Sequence, residues 1–168
     1  RNVYVHFTRQ PIRVYIDAAP TPELAQLAWD AALTWQRASD DTVQFVRVER
    51  PTDADILVYF SDLPTVSYAG LTLTLPQFFN PRAMGNQLDA PQVEINLRPA
   101  LRYAPEDQPA YIKAVAIHEF GHAIGLFGHS NNIDDLMYYR VSGLTGPSPR
   151  DIATLKKLYA SPPDITRP

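Results

Sequence analysis

The chemistry of this chain is concentrated in one stretch, His118-Glu119-Phe120-Gly121-His122-Ala123-Ile124-Gly125-Leu126-Phe127-Gly128-His129. Three of the chain's four histidines fall in these twelve positions. His118 and His122 are four residues apart, so on a helix they project from one face about one turn apart. Two imidazoles so placed can meet one metal ion, and Glu119 is carried to the edge of the same site. Gly125 can adopt the left-handed backbone that ends a helix. The chain can then turn and bring His129 back as a third ligand. Three protein ligands leave one position open, which marks a catalytic rather than a structural zinc site. Histidines on the polar face of an amphipathic helix could imitate part of this pattern. They do not account for five fixed positions and for Met137, eight residues after His129.

These residues need a helix, and the sequence supplies one. Asp107-Gln108-Pro109 reads as its start, with Asp107 or Gln108 near the N-cap. Tyr111, Ile112, Val115, Ile117, Phe120 and Ile124 are apolar around much of its circumference, as in a helix covered on most sides. A buried Glu119 would be costly without compensation, and a nearby cation would rationalise it. An earlier helix is expected after Thr21 as N-cap, with Pro22 at its first position. Leu24, Leu27, Ala28, Ala31 and Trp35 form its apolar face; both Trp35 and Trp29 read as packing residues. Ser148-Pro149 opens a last helix whose stripe is Ile152, Leu155, Leu158 and Tyr159.

Strands are expected from alternation at residues 3–7, 12–16, 43–48 and 93–97, and from the nearly continuous apolar run at 53–60. That run suggests a central strand buried on both faces. Strand, helix, strand, strand in this order points to an α/β sheet. Residues 70–76 alternate leucine and threonine before Pro76, as an edge strand does. Such an edge can bind an extended peptide by adding it as another strand. Residues 81–91 read as a loop, 130–135 as a polar loop and 161–168 as a loose tail. His6, far from the cluster, reads as a strand or surface histidine.

The 168 residues suit one domain with a sizeable core. A net charge of −3 gives no basic footprint for nucleic acid, and no apolar run is long enough to span a membrane. With no cysteine, disulfides and thiolate metal sites are excluded. The chain begins at Arg1 without a signal peptide, and a processed form is expected.

The pattern from His118 to His129 with Met137 resembles the metzincin metallopeptidases. Within them it is most similar to the matrixins, the matrix metalloproteinase type. Ser130 directly after the third histidine, the position of Met137, Ala54-Asp55-Ile56, and residues 148–159 carry that closer likeness. The resemblance implies a twisted mixed sheet, two long helices, and a cleft above a small C-terminal subdomain. Residues 1–125 and 126–168 are the expected upper and lower parts of a single catalytic domain. It also implies an extracellular, monomeric protein. The matrixins' second, structural zinc has no evident histidines here, since His6 alone lies outside the cluster; one zinc is expected, and calcium is left open. Arg150 stands where matrixins tend to have aspartate, which removes their ion pair to a freed N-terminus. Tyr139 stands where they commonly have proline. Other metzincins have a tyrosine there that reaches the zinc; Tyr139 either does the same or lines the substrate pocket.

The expected function is therefore that of a zinc endopeptidase acting on protein or peptide substrates through a metal-activated water. His118, His122 and His129 are the expected ligands, Glu119 the general base and Tyr139 a candidate catalytic group. Residues 71–75 would align the peptide, and residues 138–145 would wall its pocket. A metal-bound peptide-binding module that no longer cleaves is the alternative from another class, and intact Glu119 speaks against it. A zinc hydrolase acting on other bonds is disfavoured by the peptide-sized edge strand.

Overall fold

The computed structural model describes residues 5–60, 71–73, 93–141, 143–163 and 165–167. Strand β1 (Val5–Phe7) leads to β2 (Ile12–Ile16), helix α1 (Pro22–Ala38), β3 (Phe45–Arg47) and β4 (Ile56–Tyr59). Then come β5 (Leu71–Leu73), β6 (Val93–Asn96), helix α2 (Gln108–Ala123), helix α3 (Pro149–Ala160) and β7 (Ile165–Arg167). Single 3-10 turns precede β4 at Pro51–Asp53 and follow β6 at Arg98–Arg102.

Five strands form one sheet in the order β3-β2-β4-β6-β5. The first four run parallel, with Val14 opposite Ile56 and Val58 opposite Ile95. β5 closes the edge antiparallel to β6, with Thr72 opposite Ile95. The apolar run at 53–60 becomes β4, inside the sheet, with Ile56, Leu57 and Val58 all buried, as expected of a parallel strand covered on both faces. The strand is shorter than the run because Pro51–Asp53 forms a 3-10 turn first. Asp55, at its threshold, is buried and receives a two-pronged contact from Arg13 at 2.7 and 3.0 Å, which satisfies its charge. The edge position expected of residues 70–76 is seen at β5. The directions of its leucines, and the loop at 81–91, lie outside the described residues.

Helix α1 starts as its sequence requires: the Thr21 hydroxyl accepts from Leu24 N at 3.3 Å, and Pro22 needs no donor. Its buried face (Leu24, Ala28, Ala31, Ala32, Trp35) includes three alanines, which let it lie close to α2. Trp35 is fully buried, and its indole N–H donates to Ile117 O at 2.7 Å, fastening the two helices by a buried polar bond. The low polarity of α2 is explained by its place: Ile112, Val115, Ala116, Ile117 and Phe120 are all inaccessible.

The tail departs from the sequence reading. Instead of a loose end, Ile165–Arg167 pairs in parallel with Val5–Phe7 as a second, two-stranded sheet. A three-residue strand has too little alternation to be recognised, and its partner lies at the other end of the chain. His6 belongs to this join. It is buried, its Nε2 lies 2.9 Å from Ser161 O, and its ring centre lies 4.6 Å from that of Tyr159 with the planes tilted by 34°.

Candidate metal centre

Helix α2 delivers His118 and His122 to one face, one turn apart, with ring centroids 4.8 Å apart. The backbone leaves the helix at Ile124, whose N–H still bonds Phe120 O, and reverses at Gly125. Gly125 has φ +118°, a region closed to ordinary side chains, and an added Cβ would sit 2.6 Å from Val5 O. The reversal returns His129 to the pair, 5.4 Å from His118 and 4.8 Å from His122 by ring centroids. One ligand atom from each of the three rings lies within 4.8 Å of the others, so the triad expected from spacing is brought together and could bind a metal.

The donor set fits zinc. His118 Nδ1 lies 2.8 Å from Leu136 O and His122 Nδ1 lies 2.6 Å from Leu126 O. Each contact calls for a proton on Nδ1, which leaves Nε2 as a bare lone pair. Nε2 of His122 and of His129 are 3.1 Å apart. Two nitrogens on one tetrahedral zinc, at ~2.0–2.1 Å each, stand roughly 3.3 Å apart. Burial lowers the pKa of His118, opposed in part by the Leu136 carbonyl. Burial, and then the adjacent His118, lower that of His122 to about 4. Both shifts hold the rings neutral, the form that binds a metal.

Glu119 is buried on the same turn as His118. Met137 is buried against the helix at Gly121, which makes room for it. A Cβ on Gly121 would clash with Met137 Sδ and lie 2.8 Å from Trp35 Cζ2. Tyr139 is 53% exposed; its ring packs 4.3 Å from that of Tyr138, with the Arg140 guanidinium 5.4 Å from its centre.

The segment after His129 is tied to α3. The Asp151 carboxylate accepts from Ser148 N at 2.9 Å, completing a capping box, and from Leu136 N at 2.8 Å. Leu136 thus joins α3 through its N–H and His118 through its carbonyl. Sequence reasoning missed this, because a backbone group carries no signature in residue type. It also missed Asp135, which it placed only in a polar loop. That carboxylate is buried and accepts from Ser130 Oγ, from Ser148 Oγ and from Arg150. Burial alone would raise its pKa; these hydrogen bonds and the Arg150 charge outweigh it, and the net shift is downward. The Asp107 side chain, offered as a possible cap of α2, makes no cap bond, whereas Gln108 Nε2 donates to Leu101 O and Tyr103 O at 3.1 and 3.0 Å.

Comparison with solved structures finds the same fold in two structures of myroilysin. The first matches at a TM-score of 0.56 with 14% identity, over 96% of this chain and 86% of the other. The second gives 0.55 and 15%, over 95% and 81%. A search of curated proteins finds no significant match. The matrixin family model matches residues 12–160, from β2 to the end of α3. That span takes in the whole sheet, the helix with its histidine pair, the returning third histidine and the capped closing helix, and the chain belongs to the matrixin family of metallopeptidases.

Proposed function

We propose that this matrixin is a zinc endopeptidase that hydrolyses peptide bonds in extended protein segments. The observation that carries the reading is the His118–His122–His129 triad, with Nδ1 of the first two directed at carbonyls and Glu119 buried on the same helical turn. In this reading the three histidines hold one zinc through neutral imidazoles. Zinc so held lowers the pKa of a water to ~7 and polarises a carbonyl. Glu119 accepts the proton of the attacking water and returns it to the leaving amine, so it begins and ends each turnover as a carboxylate. The downward pKa shifts of His118 and His122 keep protons from competing with the metal in mildly acidic conditions.

Tyr139 is assigned to the substrate, either as a hydroxyl donor to the oxyanion or as a ring lining the pocket. Its exposed side chain leaves it accessible to a bound peptide. Strand β5, at the sheet edge, is assigned to align the peptide by main-chain pairing. We further assign residues 1–125 and 126–168 to the upper and lower walls of a single catalytic domain, and read the protein as secreted and monomeric. Calcium remains outside the proposal, since residues 61–70 and 74–92 lie outside the described residues.

Cleavage of a mixed peptide library, read by mass spectrometry with and without chelator, tests this directly. Internal cuts that vanish with chelator and return with zinc are expected. Zinc binding without any cleavage would instead identify a peptide-binding module. Glu119→Ala should bind zinc and cut nothing; near-normal turnover would remove Glu119 as the base.

A further inference from the structure

Arg150 stands on the first turn of α3. Its side chain is 60% exposed, yet its head is not idle. Nε donates to Asp135 Oδ2 at 2.9 Å, and Nη2 donates to the same carboxylate and to Ser130 Oγ at 3.0 Å. Ser130 Oγ in turn donates to Asp135 Oδ2 at 2.5 Å and accepts from Asn132 N at 3.0 Å. Ser148 Oγ donates to Asp135 Oδ1 at 2.8 Å. One buried carboxylate thereby gathers the start of the loop, its end and the N-terminus of α3.

One end of this loop adjoins a metal ligand, and the other adjoins the residue whose carbonyl faces a second ligand. Ser130 follows His129, and its N–H donates to Met137 O at 2.6 Å, so the loop is closed upon itself. Asp135 precedes Leu136, whose carbonyl faces His118 Nδ1 at 2.8 Å. Any shift of Asp135 moves that acceptor; any shift of Ser130 moves His129. The same residues, with His129 and Met137, line a cavity of about 610 Å³, so the loop is not held there by dense packing alone.

We propose that Asp135 and Arg150, with Ser130, form a clasp that positions the metal site: it fixes where His129 returns and which tautomer His118 adopts. Asp135 and Arg150 are positioning residues in this scheme, acting through the loop and not on the substrate. The arrangement needs an acid at 135 and a forked base at 150 together. The fork matters: a guanidinium reaches Asp135 and Ser130 at once, which the single ammonium of lysine does less well.

The proposal rests on the reading that the triad holds zinc, and the test separates the two. Zinc affinity is measured by chelator competition on the whole chain, and the cobalt-substituted protein is followed by its visible spectrum at saturating metal. Wild type, Arg150→Ala, Arg150→Lys, Asp135→Asn and, as a control elsewhere on α3, Lys156→Ala, whose partner is Asp40, are compared. Thermal unfolding of each metal-free protein reports folding. Arg150→Ala and Asp135→Asn should weaken zinc binding roughly 10-fold or more, the usual effect of groups that orient a ligand. Both should change the cobalt spectrum, with Arg150→Lys in between and Lys156→Ala unchanged. Because Arg150 is largely exposed, its alanine variant should fold even if Asp135→Asn does not, and it then decides alone. Affinity within twofold of wild type with an unaltered spectrum overturns the clasp and leaves the zinc site standing. A wild-type protein that binds no zinc overturns both.

Discussion

Gly125→Ala is the most demanding single substitution this site offers. Three effects set its magnitude. The backbone at φ +118° is one that an L side chain enters at a cost of ~1–3 kcal/mol. The new Cβ would lie 2.6 Å from Val5 O and 2.8 Å from Leu158 Cδ2, and relieving such overpacking costs about 1–3 kcal/mol. The leucine end can move aside, but Val5 O belongs to β1, which is paired with β7. Against this, alanine restricts the unfolded chain and returns ~0.4–1 kcal/mol. The net loss is about 1–5 kcal/mol, a large share of the ~5–15 kcal/mol that holds a domain together. At ~2–4 °C per kcal/mol for a chain of this size, the metal-free protein should melt roughly 2–20 °C lower. Circular dichroism melts of both proteins, without metal, measure this. Zinc affinity should fall as well, because Gly125 sets the return of His129. A melting temperature within 2 °C of wild type, with unchanged zinc affinity, would refute both the backbone restriction and the contact with β1.

The pH dependence has a definite sign. His122 is lowered from 6.5 to about 4 in the folded chain, so between those values the unfolded state binds more protons. Stability of the metal-free protein should be complete above pH 6.5 and should decline as pH falls toward 4, by up to about 3 kcal/mol from this group. Urea unfolding at several pH values checks it, and stability that rises on acidification through this window would contradict the burial of His122. Asp151→Asn should cost roughly 1–3 kcal/mol by weakening one buried and one partly buried N–H contact at once; its urea midpoint measures the loss, and no change would show that the capping box is not sustaining the loop. Elemental analysis of dialysed protein should give one zinc per chain, and two would reveal a second site beyond the triad. For Tyr139→Phe, a kcat lowered by roughly 10²-fold with little change in KM would mark the hydroxyl as an oxyanion donor. Unchanged kcat, with altered side-chain preference in Tyr139→Ala, would make it a pocket wall.

Much of this molecule is legible in its amino-acid sequence. Residues at fixed intervals on one helix need no tertiary information, because helical periodicity alone places His118, Glu119 and His122. Thr21 and Ser148 announce their helices for a similar reason: a cap is a local hydrogen bond between neighbours in sequence. The nearly continuous apolar run becomes the inner strand β4, where Ile56, Leu57 and Val58 are buried because both faces of the strand are covered.

What the tertiary structure alone decides are the contacts between groups distant in sequence or carried by the backbone. Gly125 can be read as a helix end, but not as the point where β1 presses against the turn. The last residues look too polar and proline-rich to be ordered, yet their partner strand lies at the opposite end of the chain, and parallel pairing across such a separation leaves no local trace. Arg150 stands out as a departure from the family, but residue type does not name its partner. Asp135 lies fifteen residues away, and only the fold brings that carboxylate between Ser130, Ser148 and the guanidinium. The chemistry of the site is written in residue types at a helical period; the orientation of its ligands rests on carbonyls and charges that meet only when the chain has closed.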